Sequence, residues 1–244
     1  MARIGREFIK KTKYEFLDPS AQSRGLPQPP LELEVYKNRD LIELPEPEAI
    51  SIPHVDLWEA IEKRRSLRRY SRTPLKIEEL SFLLWCTQGV KKVISGSATL
   101  RTVPSAGARH ALETYLLINN VETLASGLYW YSALRHGLIL IDDAAGLVDR
   151  LVAACLGQRF VAQSAVIFIW TALTSRMTWR YSERGFRYFF LDVGHVCQNL
   201  YLAAEAVDSG VCAIAAFSDD GVDEFLNIDG QEQFSLYLAT VGKK

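Results

Sequence analysis

The 244-residue sequence contains no apolar run of 18 or more residues, and its amino terminus, MARIGREFIKKTKYEF, is charged. Membrane-spanning helices and secretory signal peptides both need apolar runs, so neither is expected. Lysine and arginine number 28 against 29 aspartates and glutamates, which leaves a formal net charge of −1. This balance gives no general attraction for nucleic acid or an anionic membrane. The sequence therefore predicts a cytoplasmic protein that binds neither nucleic acid nor membranes.

Motifs for metals, dithiol chemistry and dedicated nucleotide sites are also missing. The four cysteines form no CxxC pair and have no histidine at ligand spacing, so no metal site is expected. Each cysteine lies among apolar residues, which indicates buried free thiols in a reducing compartment. No GxGxxG or GxxxxGK[ST] loop is present, so the sequence predicts neither a Rossmann nor a P-loop nucleotide site.

The chain divides into an arm and a regular body. Seven of the nine prolines lie in residues 17–54, where they remove backbone donors and prevent regular helix. We therefore predict a proline-rich N-terminal arm over residues 1–54, lying across the body or across a partner subunit, with a disordered tail as the alternative. Hydrophobic residues make up 48% of the chain and charged residues 23%, as in ordinary globular proteins. Residues 55–244 are predicted to form one folded domain.

Hydrophobic periodicity predicts the elements of that domain. Helices are expected after Asp56 and over residues 76–88, 147–156 and 186–207. The last of these has no charge between Asp192 and Glu205, so most of its surface is expected to be covered by protein. Strands are expected over residues 113–119, 127–131, 137–141, 165–172, 210–217 and 234–241. Because strands and helices mix without βαβ alternation, the predicted fold class is an α+β sandwich.

Two segments carry the clearest signals for a ligand. Six of the ten residues in Lys63–Arg72 (KRRSLRRYSR) are basic, and arginine forks beside a serine hydroxyl suit a phosphate dianion. The same run is also typical of a solvated helix end, or of a nucleic-acid patch that the net charge disfavours. Val103–His110 (VPSAGARH) is rich in small residues, which allow backbone amides to approach a ligand. A plain turn explains that segment equally well.

Two further segments carry polar groups close to apolar ones. GHVCQNL, residues 194–200, places His195, Gln198 and Asn199 on the buried helix, where satisfied core polar groups are more common than ligands. Arg180 and Tyr181 fall in a polar connection between the strand at 165–172 and the long helix. Such connections often carry catalytic groups, although surface salt bridges account for most arginines of this kind.

The order of the motifs resembles the nitroreductase superfamily. The series is RRSLRRY, LSFLLWCTQGV, PSAGARHALETYLL, GLYWY, RGFRYFFLDVGHVCQNLYLAAEA, GVCAIAAFSDD and YLATVGKK. More narrowly, it is similar to the SagB-type dehydrogenases, which include the azoline oxidases of ribosomal-peptide maturation. The resemblance implies an FMN-binding α/β sandwich with a mostly antiparallel central sheet flanked by helices. It also implies a domain-swapped homodimer with FMN at the subunit interface.

The resemblance further implies which residues hold FMN. Arg64 and Ser66 match the motif at the phosphate end, and Arg65 belongs to the same motif. Arg68 matches the basic position near the pyrimidine edge, where a fixed positive charge suits the negative charge of reduced flavin. Lys243 matches a basic position near the phosphate.

Two short segments complete the implied cofactor site. One is the loop that reaches the flavin from the other subunit, formed by Pro104, Ser105, Ala106 and Gly107. The other lies beside the dimethylbenzene and N5 edges and is formed by Ala213, Ile214, Ala215 and Ala216.

The sequence departs from the family in two places. Azoline oxidases carry a Lys-Tyr pair before the long helix, and this chain has Arg180-Tyr181, which we take as the candidate catalytic residues. Arginine stays protonated and cannot replace a lysine base, and tyrosine has an ordinary pKa near 10. The segment GVCAIAAF also lacks the glutamate that other nitroreductases place beside the flavin, so Ala215 offers only its backbone amide.

Three functions remain open. We favour an FMN-dependent oxidoreductase that passes hydride by a ping-pong cycle from NAD(P)H or an organic donor to a small acceptor. The first alternative is a SagB-type dehydrogenase that oxidises thiazoline or oxazoline rings in a modified peptide. The second is a protein that binds FMN without catalysis; the matching residues at 64–68 and 104–107 argue against loss of flavin.

Overall fold

A seven-stranded sheet organises the computed structural model, which describes residues 3–244. The strands run in the order β1-β6-β5-β4-β7-β9-β8, and every neighbouring pair is antiparallel. Their bounds are β1 Ile42–Glu43, β4 Leu112–Ile118, β5 Gly127–Ser132, β6 Gly137–Asp142, β7 Val166–Leu173, β8 Ser209–Ile214 and β9 Gln233–Lys243. A separate hairpin joins β2 Val90–Ile94 and β3 Ala98–Arg101.

Helices cover both faces of the sheet. They are α1 Ile4–Lys11, α2 Leu57–Lys63, α3 Ile77–Gln88, α4 Leu147–Ala154, α5 Phe160–Gln163, α6 Thr174–Tyr181, α7 Gly185–Ala206 and α8 Asp219–Leu226. The predicted α+β sandwich with a mostly antiparallel sheet flanked by helices is confirmed. Within residues 3–244, no helix is long and apolar enough to cross a membrane.

Strand β7 divides the core into two layers because successive side chains point to opposite faces. Phe168 and Trp170 join the apolar cluster beneath α3 and α7, whereas Ile167 and Ile169 join the cluster beneath α4 and α8. All four side chains are fully buried. The continuous apolar run that the sequence shows here therefore belongs to a strand covered on both sides.

Two local predictions need correction, and a third stays untested. Arg180 and Tyr181 lie at the end of helix α6, not in a connecting loop, because the polar sequence TSRMTWRY has too few apolar residues to show helical periodicity. Strand β8 ends at Ile214, three residues before the predicted end. The predicted cover of α7 stays a prediction, because the chain itself leaves Phe190 and Leu191, just before the uncharged stretch, 58% and 59% exposed.

The N-terminal arm lies across the body of its own chain. Arg176 Nε donates to the Pro30 carbonyl (2.8 Å), and the backbone N–H of Leu134 donates to the Glu32 carboxylate (2.7 Å). Ser81 Oγ donates to the Pro45 carbonyl (2.6 Å). These side-chain contacts attach an irregular segment to the body along much of its length.

Candidate functional site

The basic segment begins where α2 ends. Asp56 caps the helix by accepting the Glu59 backbone N–H (3.2 Å), as the sequence predicts, and Arg64 is the residue at its carboxyl end. The chain then runs beside the outer edge of β8, where Ser66 pairs in parallel with Val211. The segment that carries the arginines is thus extended and lies at the edge of the sheet, where the arginine side chains reach solvent.

Tyr201 on α7 connects this segment to β8. The hydroxyl of this buried residue lies 3.0 Å from Ser66 Oγ and accepts the Ala213 backbone N–H at 2.9 Å. The Arg64 guanidinium lies over its ring, with Cζ 5.2 Å from the ring centroid. One tyrosine therefore fixes the relative positions of Ser66, Arg64 and the end of β8.

The arginines of this segment have no acidic partner within residues 3–244. No carboxylate in that range lies within 4.0 Å of Arg64, Arg65 or Arg68. Arg65 and Arg68 are exposed, and Arg68 Cζ lies 5.8 Å from the centroid of the Phe160 ring. Cationic side chains and a hydroxyl that face solvent, with no carboxylate paired to the cations, are suited to binding a phosphate group.

Lys243 is engaged elsewhere. Its Nζ forms an ion pair with Glu79 Oε1 (2.5 Å) and donates to the Val207 carbonyl (2.6 Å). The lysine side chain is only 14% exposed. The structure therefore pairs this ammonium with a carboxylate, and its predicted role near a phosphate stays a prediction.

Small residues follow the end of β8. Ala213 is half-buried and Ile214 is buried, whereas Ala215 and Ala216 are exposed. The Ala216 carbonyl accepts from Gln158 Nε2 at 2.7 Å, which holds the segment in place. Exposed alanines on a fixed backbone allow a flat ligand to approach closely.

The PSAG loop is held by Asp192 on α7. Ser105 Oγ donates to Asp192 Oδ2 (2.6 Å), and the Ala106 N–H donates to Oδ1 (3.3 Å). Burial raises the pKa of Asp192, and these two hydrogen bonds oppose that shift. Pro104 is exposed before the turn, and Gly107 has φ +58°, a left-handed conformation that favours glycine.

The loop and the Arg180-Tyr181 pair meet at Gly107. A Cβ atom added there would lie 2.3 Å from the Tyr181 hydroxyl and 3.1 Å from Arg180 Nε. The half-buried Tyr181 ring contacts Tyr188 edge to face, with the ring centroids 4.8 Å apart. The structure thus brings together two segments that are about 70 residues apart in the sequence.

Within one chain, the two groups of residues lie apart. The loop contacts α7 at Asp192, and the arginine segment contacts it at Tyr201, nine residues later. At 1.5 Å per residue, these points are about 14 Å apart along the helix. His195 and Gln198 lie between them and are exposed, whereas Asn199 Nδ2 donates to the Cys86 carbonyl (2.9 Å).

Three site residues were missed by the sequence analysis. Asp192 could have been found, because it is an isolated acid at the start of the uncharged stretch of the long helix. Arg109, whose Nε donates to the Gly107 carbonyl at 3.1 Å, belongs to the PSAGARH motif but was not singled out. Tyr201 gave no signal, because an aromatic residue in an apolar helix is usually a core residue.

The sequence of this chain matches a family model and is similar to known proteins. The model of the Nitroreductase family matches residues 61–243. A protein of Methanocaldococcus jannaschii, MJ1384, provisionally named a nitroreductase, is 37% identical over 194 residues, which cover 79% of this chain and 93% of that protein. The trifolitoxin-processing protein TfxB of Rhizobium leguminosarum bv. trifolii is 27% identical over 147 residues, covering 59% of this chain and 39% of its own length.

Solved structures show the same fold. A protein of Anabaena variabilis, provisionally named a nitroreductase, has a TM-score of 0.68 and 29% identity. The match covers 84% of this chain and 42% of that protein, so the chain spans less than half of its length. A protein of Desulfovibrio desulfuricans with the same provisional name, solved in complex with FMN, has a TM-score of 0.54 and 16% identity, and the match covers 78% of this chain and 87% of that one.

Proposed function

Because this chain belongs to the nitroreductase family of oxidoreductases, we propose that it is an FMN-dependent oxidoreductase acting between NAD(P)H or an organic donor and a small acceptor. The observation that carries the proposal is the set of arginines beside β8, which have no acidic partner among the described residues. FMN, when bound, supplies the ring that takes hydride from the donor and gives it to the acceptor in a ping-pong cycle.

The chain's own residues are assigned as follows. Arg64, Arg65 and Ser66 bind the phosphate, because a fork of donors and a hydroxyl match its oxygens. Arg68 supplies a fixed positive charge near the pyrimidine edge, which stabilises negative charge that develops during reduction. The exposed Ala215 and its neighbours admit the ring system beside the end of β8.

A homodimer completes the site in this proposal. In one chain, the PSAG loop and the arginine segment contact α7 at points about 14 Å apart along the helix, and the proposal places the loop of a second copy beside the arginine segment. Phe190 and Leu191 expose apolar surface on the same helix, which a second copy would cover. We propose that each loop serves the flavin of the partner subunit.

Tyr181 and Arg180 are proposed to face the substrate. The Tyr181 hydroxyl lies beside Gly107 and is proposed to donate to a substrate atom. Arg180 remains protonated and serves as a fixed positive charge, not as a base. Proton transfer in this site is therefore assigned to Tyr181 or to water.

The first experiment is an anaerobic visible absorption spectrum of the purified protein before and after addition of NADH or NADPH. A bound flavin spectrum that bleaches promptly supports the proposed reductase. A flavin that stays oxidised would favour a dehydrogenase reduced by its organic substrate. A colourless protein that cannot be reconstituted with FMN would overturn the proposal, whereas bound flavin that no donor reduces would leave a non-catalytic FMN-binding protein.

One finding favours the peptide alternative. TfxB carries the name of a trifolitoxin-processing protein, and 59% of this chain matches it. If the chain is an azoline dehydrogenase that lacks only its base, Arg180→Lys should raise the turnover of an azoline-containing peptide. Equal turnover by both forms would count against this alternative.

A further inference from the structure

Two guanidinium groups lie against the same residue of the PSAG loop. Arg109 Nε donates to the Gly107 carbonyl at 3.1 Å. Arg180 Nε lies 3.1 Å from the position that a Cβ atom on Gly107 would occupy. Tyr181 reaches the same position with its hydroxyl. Two cations and one hydroxyl therefore converge on a residue that has no side chain of its own.

Arg109 is buried and is held rigidly. Its side chain also donates through Nη2 to the Ser97 carbonyl (3.3 Å), and its Cζ lies 5.4 Å from the centroid of the Trp179 ring. The residue is only 8% exposed, whereas Arg180 is exposed to solvent. The Arg109 guanidinium is thus held in place, and the exposed Arg180 guanidinium can move toward a ligand.

Neither arginine is neutralised within residues 3–244. No carboxylate of that range lies within 4.0 Å of Arg109 or Arg180. Asp192, which contacts the same loop, is occupied by Ser105 and Ala106. Burial lowers the pKa of Arg109, and the charge of Arg180 lowers it further. An anion bound between the two arginines would relieve both effects, since a buried charge without a partner is unfavourable.

We propose that Arg109 and Arg180, together with the Tyr181 hydroxyl, bind an oxyanion group of the molecule that exchanges hydride with the flavin. The group is a carboxylate of the acceptor or a phosphate of the donor. This inference rests on the proposed function for the identity of that molecule, but the binding site itself does not. It also gives Arg180 a role that a lysine base could not fill, because arginine presents a planar fork to both oxygens of a carboxylate.

The site is tested by calorimetric titration of the FMN-loaded protein with benzoate and with benzamide, which differ only in the anionic group. Benzoate should bind at least about tenfold more tightly, as expected for charge-assisted hydrogen bonds. Arg180→Gln, on the exposed surface, and Arg109→Gln should each abolish this preference. Arg6→Gln, an exposed arginine on α1, is the matched control and should preserve it.

Two further titrations identify the source of the anion. Inorganic phosphate that competes with benzoate, together with a preference for NADPH over NADH that Arg180→Gln removes, would assign the site to the donor. A preference for 4-nitrobenzoate over 4-nitrobenzamide as acceptor would assign it to the acceptor.

Failure of this proposal is distinct from failure of the proposed function. Equal affinities for benzoate and benzamide, or a preference that survives in both glutamine variants, would overturn the anion site even if NAD(P)H reduces the flavin. Benzoate binding by a protein that holds no FMN would support the anion site and overturn the flavin function instead.

Discussion

The backbone of Gly107 lies so close to the Tyr181 hydroxyl that a Cβ atom at residue 107 would be 2.3 Å from the phenolic oxygen. A side chain at residue 107 would therefore have to displace the Tyr181 hydroxyl. This contact joins the two segments that the sequence offered as separate candidates, and it makes residue 107 a sensitive test of the site.

We expect Gly107→Ala to lower turnover of a nitroaromatic acceptor at least about tenfold, because the methyl group would displace Tyr181 and Arg180. Gly96→Ala is the matched control: Gly96 also has positive φ (+67°), but no atom lies within 4 Å of its added Cβ. Both variants should lose about 1–2 kcal/mol of stability from backbone strain alone. Equal activities of the two variants would show that the contact with Tyr181 does not matter.

Removing the Arg64 guanidinium should release the cofactor. We expect Arg64→Ala to raise the Kd for FMN by about tenfold to a hundredfold, the usual effect of losing a charge-assisted hydrogen bond. The measurement is quenching of flavin fluorescence during titration. Arg69→Ala removes a neighbouring exposed arginine that has no assigned role in holding the cofactor and should leave the Kd within about twofold. Unchanged FMN affinity in Arg64→Ala would contradict the phosphate assignment.

The exposed apolar face of α7 should be the subunit interface. Leu191→Asp is expected to give the mass of a single chain in light scattering, because a carboxylate is costly to bury in an apolar interface. Leu156, which is 64% exposed but lies outside α7, provides the control variant Leu156→Asp. If wild-type protein loaded with FMN already has the mass of one chain, the homodimer is wrong.

Acid should destabilise the fold through His110. Burial lowers the pKa of His110 to about 3, against an ordinary value near 6.5, so the folded state holds the ring neutral. The contribution of this residue to stability is therefore complete above pH 6.5 and decreases as the pH falls toward 3. Between pH 7 and pH 5 the loss is about 2 kcal/mol. Burial also lowers the pKa of His136, so this residue should likewise lower the free energy of unfolding as the pH falls.

Urea unfolding at pH 7 and pH 5 checks this expectation. His110→Gln should reduce the difference between the two free energies of unfolding, whereas His195→Gln, which changes an exposed ring on α7, should leave it unchanged. A difference between pH 7 and pH 5 that is as large in His110→Gln as in the wild-type protein would refute the argument.

A buried ion pair near the arm should be costly to break. Arg176 Nη1 lies 2.6 Å from Glu113 Oε1, both side chains are 4% exposed, and Trp130 Nε1 donates to Glu113 Oε2 (2.7 Å). The Arg176 contact meets the distance of an ion pair but not the alignment of a hydrogen bond. Its strength therefore comes from charge in a dry environment.

We expect Glu113→Leu to lower the free energy of unfolding by about 3–5 kcal/mol, because it leaves the Arg176 charge buried without a partner. Adding Arg176→Met should recover much of that loss. Asp142→Asn breaks an exposed pair with Arg150 and should cost less than about 1 kcal/mol. Urea denaturation measures all three, and a loss in Glu113→Leu no larger than in Asp142→Asn would count against the buried pair.

The sequence by itself determined six of the seven strands of the main sheet and four of the eight helices described in residues 3–244, and it indicated the family. Alternating or continuous apolar residues indicate strands such as β4 and β7. Because this pattern is local, it can be recognised from the sequence without knowledge of the fold. The short helix α8 was missed although Ser218 caps it by accepting the Gly221 N–H (3.2 Å), a start signal that is also local. Helix α6 was missed because its stability comes from burying Arg176 and Met177 against other segments.

Only the tertiary structure decided which charges meet. The resemblance assigned Lys243 to a position near a phosphate, and the structure shows that sheet pairing also brings it to Glu79 on α3. Tyr201 and Asp192 became site residues because one helix passes both the arginine segment and the PSAG loop. Whether a charged side chain has an oppositely charged partner depends on residues that are distant in the sequence. A sequence pattern does not contain the spatial distances between such residues.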